Sequence, residues 1–318
     1  MDIFFYEVFK EEQQLLSHHL SDLIDAGFSS KTIQESGHET PPSRVISTRT
    51  QSIIPDSWGK ELDVIITRST GYDHMLDLHQ SNKGIQIGYL PLYCERAVAE
   101  QAMMLWMSLL RKVKKQISNF NNFSRDGITG SECRGKNLLV VGVGNIGSEV
   151  CKIGQGLEMN VRGVDIVEKY DFFKYTSIED GMKWADIIVC SMNLTTENTG
   201  YFSREKFNLS ERCPIFINIS RGECSPSRLL LEMIRNGKIS GLGLDVYDNE
   251  PFVSISLRER SSVTDVEMAS VRTLMKREDC ILTPHNAFNT RESTVRKAKQ
   301  TIEQFMEYRN NGKLKWKI

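Results

Sequence analysis

The stretch LLVVGVGNIGSEV, residues 138–150, constrains the fold more than any other part of the chain. An apolar strand runs directly into Gly142, Gly144 and Gly147, spaced GxGxxG, and a helical pattern opens on the last of them. Each glycine answers a separate demand. The first permits the tight turn, the second lets backbone come close to a pyrophosphate, and the third lets the helix pack close against its strand. The helix N-terminus then presents unpaired N–H groups and the positive end of its dipole. A second strand, NVRGVD, ends in Asp165, eighteen residues beyond Gly147. An acid there is placed to accept hydrogen bonds from the ribose hydroxyls of a dinucleotide and to repel a 2′-phosphate. The spacing therefore predicts NAD in preference to NADP.

Short apolar strands alternate with longer helical patterns along the whole chain, the rhythm of parallel α/β architecture. A first series holds strands in DIFFYEVF, RVIS, DVIITRS and IQIGYL, with EEQQLLSHHLSDLI as a helix. A second holds strands in NLLVV, NVRGVD, ADIIVCSM, PIFINIS, SGLGLDV and CILTPH. With 318 residues and ~150 per domain as a guide, two domains are expected. Between the series lies one long helix over 96–120, apolar on more than one face through Met103, Met104, Leu105, Trp106 and Leu109. Such a helix is expected at a domain junction or a subunit interface, and its apolar surface predicts a two-fold homodimer. The segment 252–266 is expected as a surface excursion before a helix near 266–277. In RGECSPSRLL, Ser225 is expected as an N-cap with Pro226 at the first helical position. The fold class expected is two Rossmann-like or flavodoxin-like parallel-sheet domains with a cleft between them. Residues 1–98 form a substrate domain, 99–284 a dinucleotide-binding domain, and 285–318 return to the first.

Composition narrows the partners. A net charge of −1 gives no whole-chain attraction to nucleic acid or to a membrane surface. No apolar run approaches the ~18 residues of a membrane span, and MDIFFYEVFKEEQQ reads as strand and helix rather than a signal peptide. Seven cysteines without CxxC spacing favour reduced thiols in the cytoplasm over disulfides or zinc, so no metal is expected.

Three strand ends carry chemistry. INISRGE puts Arg221 just past one strand, GLGLDVYDNEP puts Asp245 and then Glu250 past another, and ILTPHNAF puts His285 past the last. Ligands bind at the carboxyl ends of parallel strands. A guanidinium grips a carboxylate with paired hydrogen bonds, and a carboxylate beside an imidazole favours its protonated form.

With these motifs, and with TRSTGYDHMLDL, YCERAVAEQ and NLT, the chain resembles the NAD-dependent D-isomer-specific 2-hydroxyacid dehydrogenases over nearly its whole length, the D-lactate dehydrogenase branch most. The resemblance implies hydride transfer between NAD and C2 of a small 2-hydroxy or 2-keto acid. It implies Arg221, Glu250 and His285 as catalytic residues. It implies cofactor contacts from Gly142, Gly144, Asn145, Ile146, Gly147, Asp165, Met192, Ile219, Ser220 and Asp245, the last orienting the nicotinamide carboxamide. Thr70 and Gly71 would meet the substrate carboxylate through backbone N–H groups, with Tyr93, Arg221 and His285 completing the substrate site. Where the family often has His-x-Pro-Leu-Thr along the cofactor, this chain has SMNLT, with Ser191 and Asn193. Within the family, Glu250 in place of Gln argues against formate dehydrogenase, and no clear phosphate-binding cluster supports phosphoglycerate dehydrogenase. A binding protein on the same fold, an NAD-sensing corepressor, is the alternative of a different class. Phe4, Phe5, Tyr6, Tyr93 and Phe288 line the cleft or belong to the core.

Overall fold

A computed structural model describes residues 1–20, 23–258 and 266–318. The chain divides into two compact units, Met1–Cys94 with Asn289–Ile318, and Glu95–Phe288.

The first unit is built on a parallel sheet of β1 (Ile3–Phe5), β2 (Ala26–Phe28), β3 (Val45–Thr48), β4 (Val64–Thr67) and β5 (Gln86–Gly88), in the order β2-β1-β3-β4-β5. β2 has only three residues, AGF, none of them fully buried, too short and mixed to stand out as a strand in the sequence. Successive strand side chains point to opposite faces, and the core divides accordingly. Ile3, Phe5, Val64 and Ile66 pack on one face with Ile302 and Phe305 of the helix Arg291–Asn311, whose return to this unit completes it. Phe4, Tyr6, Ile65 and Trp58 pack on the other. The aromatics of β1 are thus core residues, and Tyr93 and Phe288 are buried, each under 9% exposed.

The second unit carries seven parallel strands: β6 (Asn137–Val141), β7 (Asn160–Val164), β8 (Lys174–Tyr175), β9 (Ile187–Cys190), β10 (Ile215–Asn218), β11 (Gly241–Leu244) and β12 (Cys280–Leu282), ordered β12-β11-β10-β9-β6-β7-β8. β8, two residues at the edge, has no sequence signal. One row of paired residues crosses the sheet near its carboxyl edge: Val164, Val141, Cys190, Asn218, Leu244 and Leu282. The residues that follow this row, Asp165, Gly142, Ser191, Ile219, Asp245 and Thr283, therefore emerge together.

Three expectations are corrected. The long helix is two, Glu95–Leu110 and Val113–Phe120, broken where Lys112 takes a left-handed φ of 52°. Ser131 N–H caps the first by donating to Leu110 O, and Lys114 anchors the second by donating to the carbonyls of Met275, Arg277 and Cys280. The first helix buries Ala97, Val98, Ala99, Ala102, Leu105, Trp106 and Leu110 within its own unit; apolar exposure concentrates at Ile117, Phe120 and Phe123 instead. Second, Glu250–Arg258 is helical rather than a surface excursion, while the helix Val266–Lys276 lies where expected; the remainder of the expected excursion, 259–265, lies outside the described residues. Third, the helix after Arg221 is Ser227–Arg235, with Pro226 at its N-cap. Its first N–H is capped from outside by Asp248, which accepts from Ser227 N and Oγ, and Ser225 Oγ accepts from Asn218 instead.

Candidate active site

The glycine loop has the shape its sequence demands. Gly142 has φ 89°, and a Cβ on it would lie 2.5 Å from the Met192 nitrogen. A Cβ on Gly147 would lie 2.1 Å from the Gly142 carbonyl, so a side chain would force the helix off the strand. Around Gly144 nothing comes within 4 Å of the same position, leaving room where phosphate would sit. Gly144 is the N-cap of the helix Asn145–Gly156 and supplies no side-chain cap, so the N–H groups of Asn145, Ile146 and Gly147 at its first turn remain for a ligand. Asp165 accepts from Val143 N–H on the loop and from Val167 N–H, at 3.1 Å for the latter, which aims its carboxylate at the loop mouth. A dinucleotide fits these residues. Ser191, where the family pattern has histidine, donates from Oγ to the Gly142 carbonyl at 2.7 Å, and Ser220 Oγ donates to the Met192 carbonyl. Both hydroxyls thus hold the loops that face the glycine turn.

Past β10, Asn218 organises the turn that carries Arg221. It is fully buried; its Oδ1 accepts from Ser220 N at 2.9 Å, and its Nδ2 donates to the Arg221 carbonyl at 2.8 Å and to Ser225 Oγ at 2.7 Å. A Cβ on Gly222 would fall 1.9 Å from the Tyr247 carbonyl carbon. The Arg-Gly turn therefore packs directly on the backbone that follows Asp245. The Asn218 contribution was missed in the sequence because a buried asparagine at a strand end carries no periodic signal; its one trace is the polar break in an apolar run.

Past β11 and β12, two acids hold one histidine from two sides. Asp245 is fully buried and accepts from Thr283 Oγ1 at 2.5 Å, Asn286 N at 2.9 Å and Ala287 N at 2.8 Å. Burial raises its pKa, opposed by the nearby His285 and by these bonds. Tyr247 Oη adds a bond to the Thr283 carbonyl at 2.8 Å. Between these anchors His285 has φ 48°, a conformation that costs a non-glycine residue roughly 1–3 kcal/mol and persists only where its surroundings enforce it. Glu250 opens a helix behind Asn249, which also has a positive φ of 50°. Its Oε1 lies 2.7 Å from His285 Nδ1, with both side chains about one-fifth exposed. An ionised carboxylate only accepts, so beside it Nδ1 would carry the proton of this bond, leaving Nε2 as the other ring nitrogen.

The remaining expected site residues lie in the first unit. Thr70 and Gly71 lie on the turn after β4, where Ser69 Oγ donates to the Gly71 carbonyl and Leu90 N–H to the Ser69 carbonyl. Thr70 Oγ1 lies 3.5 Å from Cys94 Sγ. The neighbouring Tyr93 is buried, which pushes its phenol well above its ordinary pKa. Of the expected site residues, those from Gly142 to His285 belong to the second unit, and Thr70, Gly71 and Tyr93 to the first. Among the described residues no cluster of His, Cys, Asp and Glu could hold a metal ion, and no helix is long and apolar enough to cross a membrane.

Comparison with known proteins places this geometry. An aromatic 2-oxoacid reductase of Clostridium sporogenes is 29% identical over 258 residues, covering 79% of this chain and 77% of that protein. D-lactate dehydrogenase of Escherichia coli is 28% identical over 246 residues, covering 75% and 74%. The crystal structure of D-lactate dehydrogenase from Aquifex aeolicus, complexed with NAD and lactic acid, superposes with a TM-score of 0.84 at 26% identity, covering 97% of this chain and 95% of that one. Residues 102–287 match the NAD binding domain of the D-isomer specific 2-hydroxyacid dehydrogenases, and the chain belongs to that family of NAD-linked oxidoreductases.

Proposed function

We propose that the protein interconverts a small 2-oxo acid and its D-2-hydroxy acid, with Arg221, Glu250 and His285 carrying the protein's part of the reaction. The observation that supports this most is the His285–Glu250 pair at 2.7 Å, on the sheet edge that also delivers Arg221 and the glycine loop. NAD, when bound, supplies or accepts the hydride; the chain's residues bind, orient and move the proton. Gly144, Asn145, Ile146 and Gly147 would hold the pyrophosphate, and Asp165 the ribose hydroxyls. Met192, Ile219 and Ser220 would border the bound dinucleotide. The expected carboxamide contact of Asp245 is kept as part of this proposal, beside the bonds by which it holds the histidine turn. In the reduction direction His285 Nε2–H gives its proton to the C2 oxygen. In oxidation neutral Nε2 takes it back. Glu250 fixes the ring's orientation and tautomer and stabilises the imidazolium. Arg221 holds the substrate carboxylate and stabilises the negative charge that grows on the C2 oxygen. Thr70 and Gly71 N–H groups bind the same carboxylate, and Tyr93 borders the substrate.

We further propose a homodimer, supported by the exposed Ile117, Phe120 and Phe123, an apolar patch of the kind that marks interfaces. We also place the protein in the cytoplasm, with its thiols reduced. The test is NADH oxidation with pyruvate, glyoxylate, hydroxypyruvate and branched 2-oxo acids, for wild type and His285→Ala. Turnover by wild type is expected. A loss of ~10²–10⁴-fold in kcat is expected for His285→Ala, with NADH binding preserved by fluorescence titration. Tight NADH binding with no wild-type turnover would instead support a sensor, and normal turnover in His285→Ala would remove the histidine from the mechanism.

A further inference from the structure

The end of β4 carries a chain of hydrogen bonds that leads into the turn of Thr70 and Gly71. Thr67, the last residue of β4, is fully buried, and Ser69 is nearly so. His74 lies in the short helical turn Asp73–Met75 that follows. Thr67 Oγ1 is 3.0 Å from His74 Nε2 and 2.8 Å from Ser69 Oγ, and Ser69 Oγ donates to the Gly71 carbonyl at 2.8 Å. Counting hydrogens gives the direction of the chain. A carbonyl only accepts, so the one hydroxyl hydrogen of Ser69 goes to Gly71. Ser69 therefore accepts from Thr67, whose own hydrogen is then used. Thr67 is left to accept from the ring, so His74 Nε2 carries a hydrogen. Two hydroxyls by themselves could run either way. In reverse, Ser69 would donate to Thr67 and Thr67 to a bare Nε2, and the Gly71 carbonyl would lose this bond. Leu90 N–H, which donates to the Ser69 carbonyl, holds the other side of the turn. That carbonyl shares a planar peptide unit with Thr70 N–H and sets its direction. Gly71 has no side chain to restrict its backbone, and the bond from Ser69 to its carbonyl restrains it.

We propose that His74 is a positioning residue: the hydrogen on its Nε2 sets the direction of the Thr67–Ser69 chain and so keeps the Thr70 and Gly71 N–H groups oriented for the substrate carboxylate. The inference rests on the oxoacid-reductase reading, which assigns that carboxylate to this turn. His74 transfers no proton in the reaction. Its effect is pre-organisation, since a turn already ordered loses less freedom when the anion binds. The carboxylate is unaltered between oxo acid and hydroxy acid, so this binding is the same in the ground and transition states. Its loss therefore appears in KM and leaves kcat. A glutamine at 74 offers an N–H donor at about the reach of the imidazole Nε2, and a leucine fills the space without one.

The experiment measures kcat and KM for the fastest 2-oxo acid of the panel above in wild type, His74→Leu, His74→Gln and Thr67→Val. Alongside, it titrates oxamate, a carboxylate that resembles pyruvate and accepts no hydride, into each NADH complex. His74→Leu and Thr67→Val should each raise KM and the oxamate Kd by ~3–10-fold, the range of one neutral hydrogen bond, with kcat and the KM for NADH little changed. The double variant should add little to either single one, because both cut the same chain. His74→Gln should restore KM. A histidine that merely supports the fold would give no such split and no rescue. Circular dichroism melts check that the variants are folded. Nitrogen NMR of the imidazole in wild type should show the hydrogen on Nε2, and amide exchange at Thr70 and Gly71 should quicken in His74→Leu. An unchanged KM in His74→Leu, a loss in kcat that His74→Gln does not relieve, or a bare Nε2 overturns the inference and leaves the reductase reading intact. Turnover of no 2-oxo acid would fail that reading. The two NMR results then decide the relay: Nε2–H with quickened exchange supports it, and a bare Nε2 or unchanged exchange overturns it.

Discussion

Glu12→Gln should destabilise the first unit by about 3 kcal/mol or more at neutral pH, because one buried carboxylate serves two buried cations. Glu12, Arg68 and Lys297 all have side chains with no solvent exposure. Burial by itself would push the Glu12 carboxyl up. The charges of Arg68, Lys297 and Arg49 outweigh it and hold the group at about 2, against an ordinary 4.5. A shift of that size is worth about 3 kcal/mol, at ~1.4 kcal/mol per unit. Removing one partner of a buried ionic cluster typically costs ~3–5 kcal/mol, since the remaining charges stay desolvated. A depressed carboxylate contributes stability that is complete above pH 4.5 and is lost as pH falls toward 2. Lys297 behaves in the opposite way. Burial pulls it down to about 7, only partly offset by Glu12, so between pH 7 and 10.5 the unfolded chain binds the extra proton and stability rises with pH. The assay is urea unfolding read by hydrogen exchange on peptides from β1, β3 and β4, which isolates this unit, between pH 2 and 10. Glu12→Gln should lower the exchange-derived stability at pH 7 and flatten the acid limb. Lys297→Met should abolish the alkaline rise. A loss under ~1 kcal/mol in Glu12→Gln, with an acid limb that superimposes on wild type, would refute the reasoning.

Two further outcomes test the cofactor and the assembly. Wild type should prefer NADH to NADPH, and Asp165→Ser should reduce that preference by removing the charge that repels a 2′-phosphate; equal use of both cofactors by wild type would sink the assignment. Light scattering at micromolar concentration should give twice the chain mass, and replacing Phe120 and Phe123 by glutamate should give a monomer; a monomeric wild type would refute the dimer.

Much of the site was legible in the sequence because it depends on local rules. The glycine spacing encodes a turn and a close packing, which appear at Gly142 and Gly147, and Gly144 between them has open space around it. Strand periodicity located most strands, and a parallel sheet brings strand ends to one edge whatever lies between them. That is why Arg221, Asp245 and His285 could be grouped from their positions alone. Glu250 and His285, expected as a pair, lie 2.7 Å apart.

What the sequence could not express is decided by contacts between distant segments. The break at Lys112 depends on Lys114 reaching carbonyls more than 150 residues away, so helical periodicity ran through it unbroken. The strands β2 and β8 are too short to carry a period and exist because a neighbour offers an open edge. The helix at Ser227 is capped by Asp248, a partner that no local capping rule can find. The left-handed backbone of His285 is enforced by Asp245 and Tyr247 from an adjacent strand end. The buried Glu12–Arg68–Lys297 cluster joins residues 12, 68 and 297, three charges whose local surroundings look like those of any solvated residue. Sequence by itself fixes what a segment of chain can do alone; which charges are buried, which turns are strained and which cap is used follow from the neighbours that tertiary packing supplies.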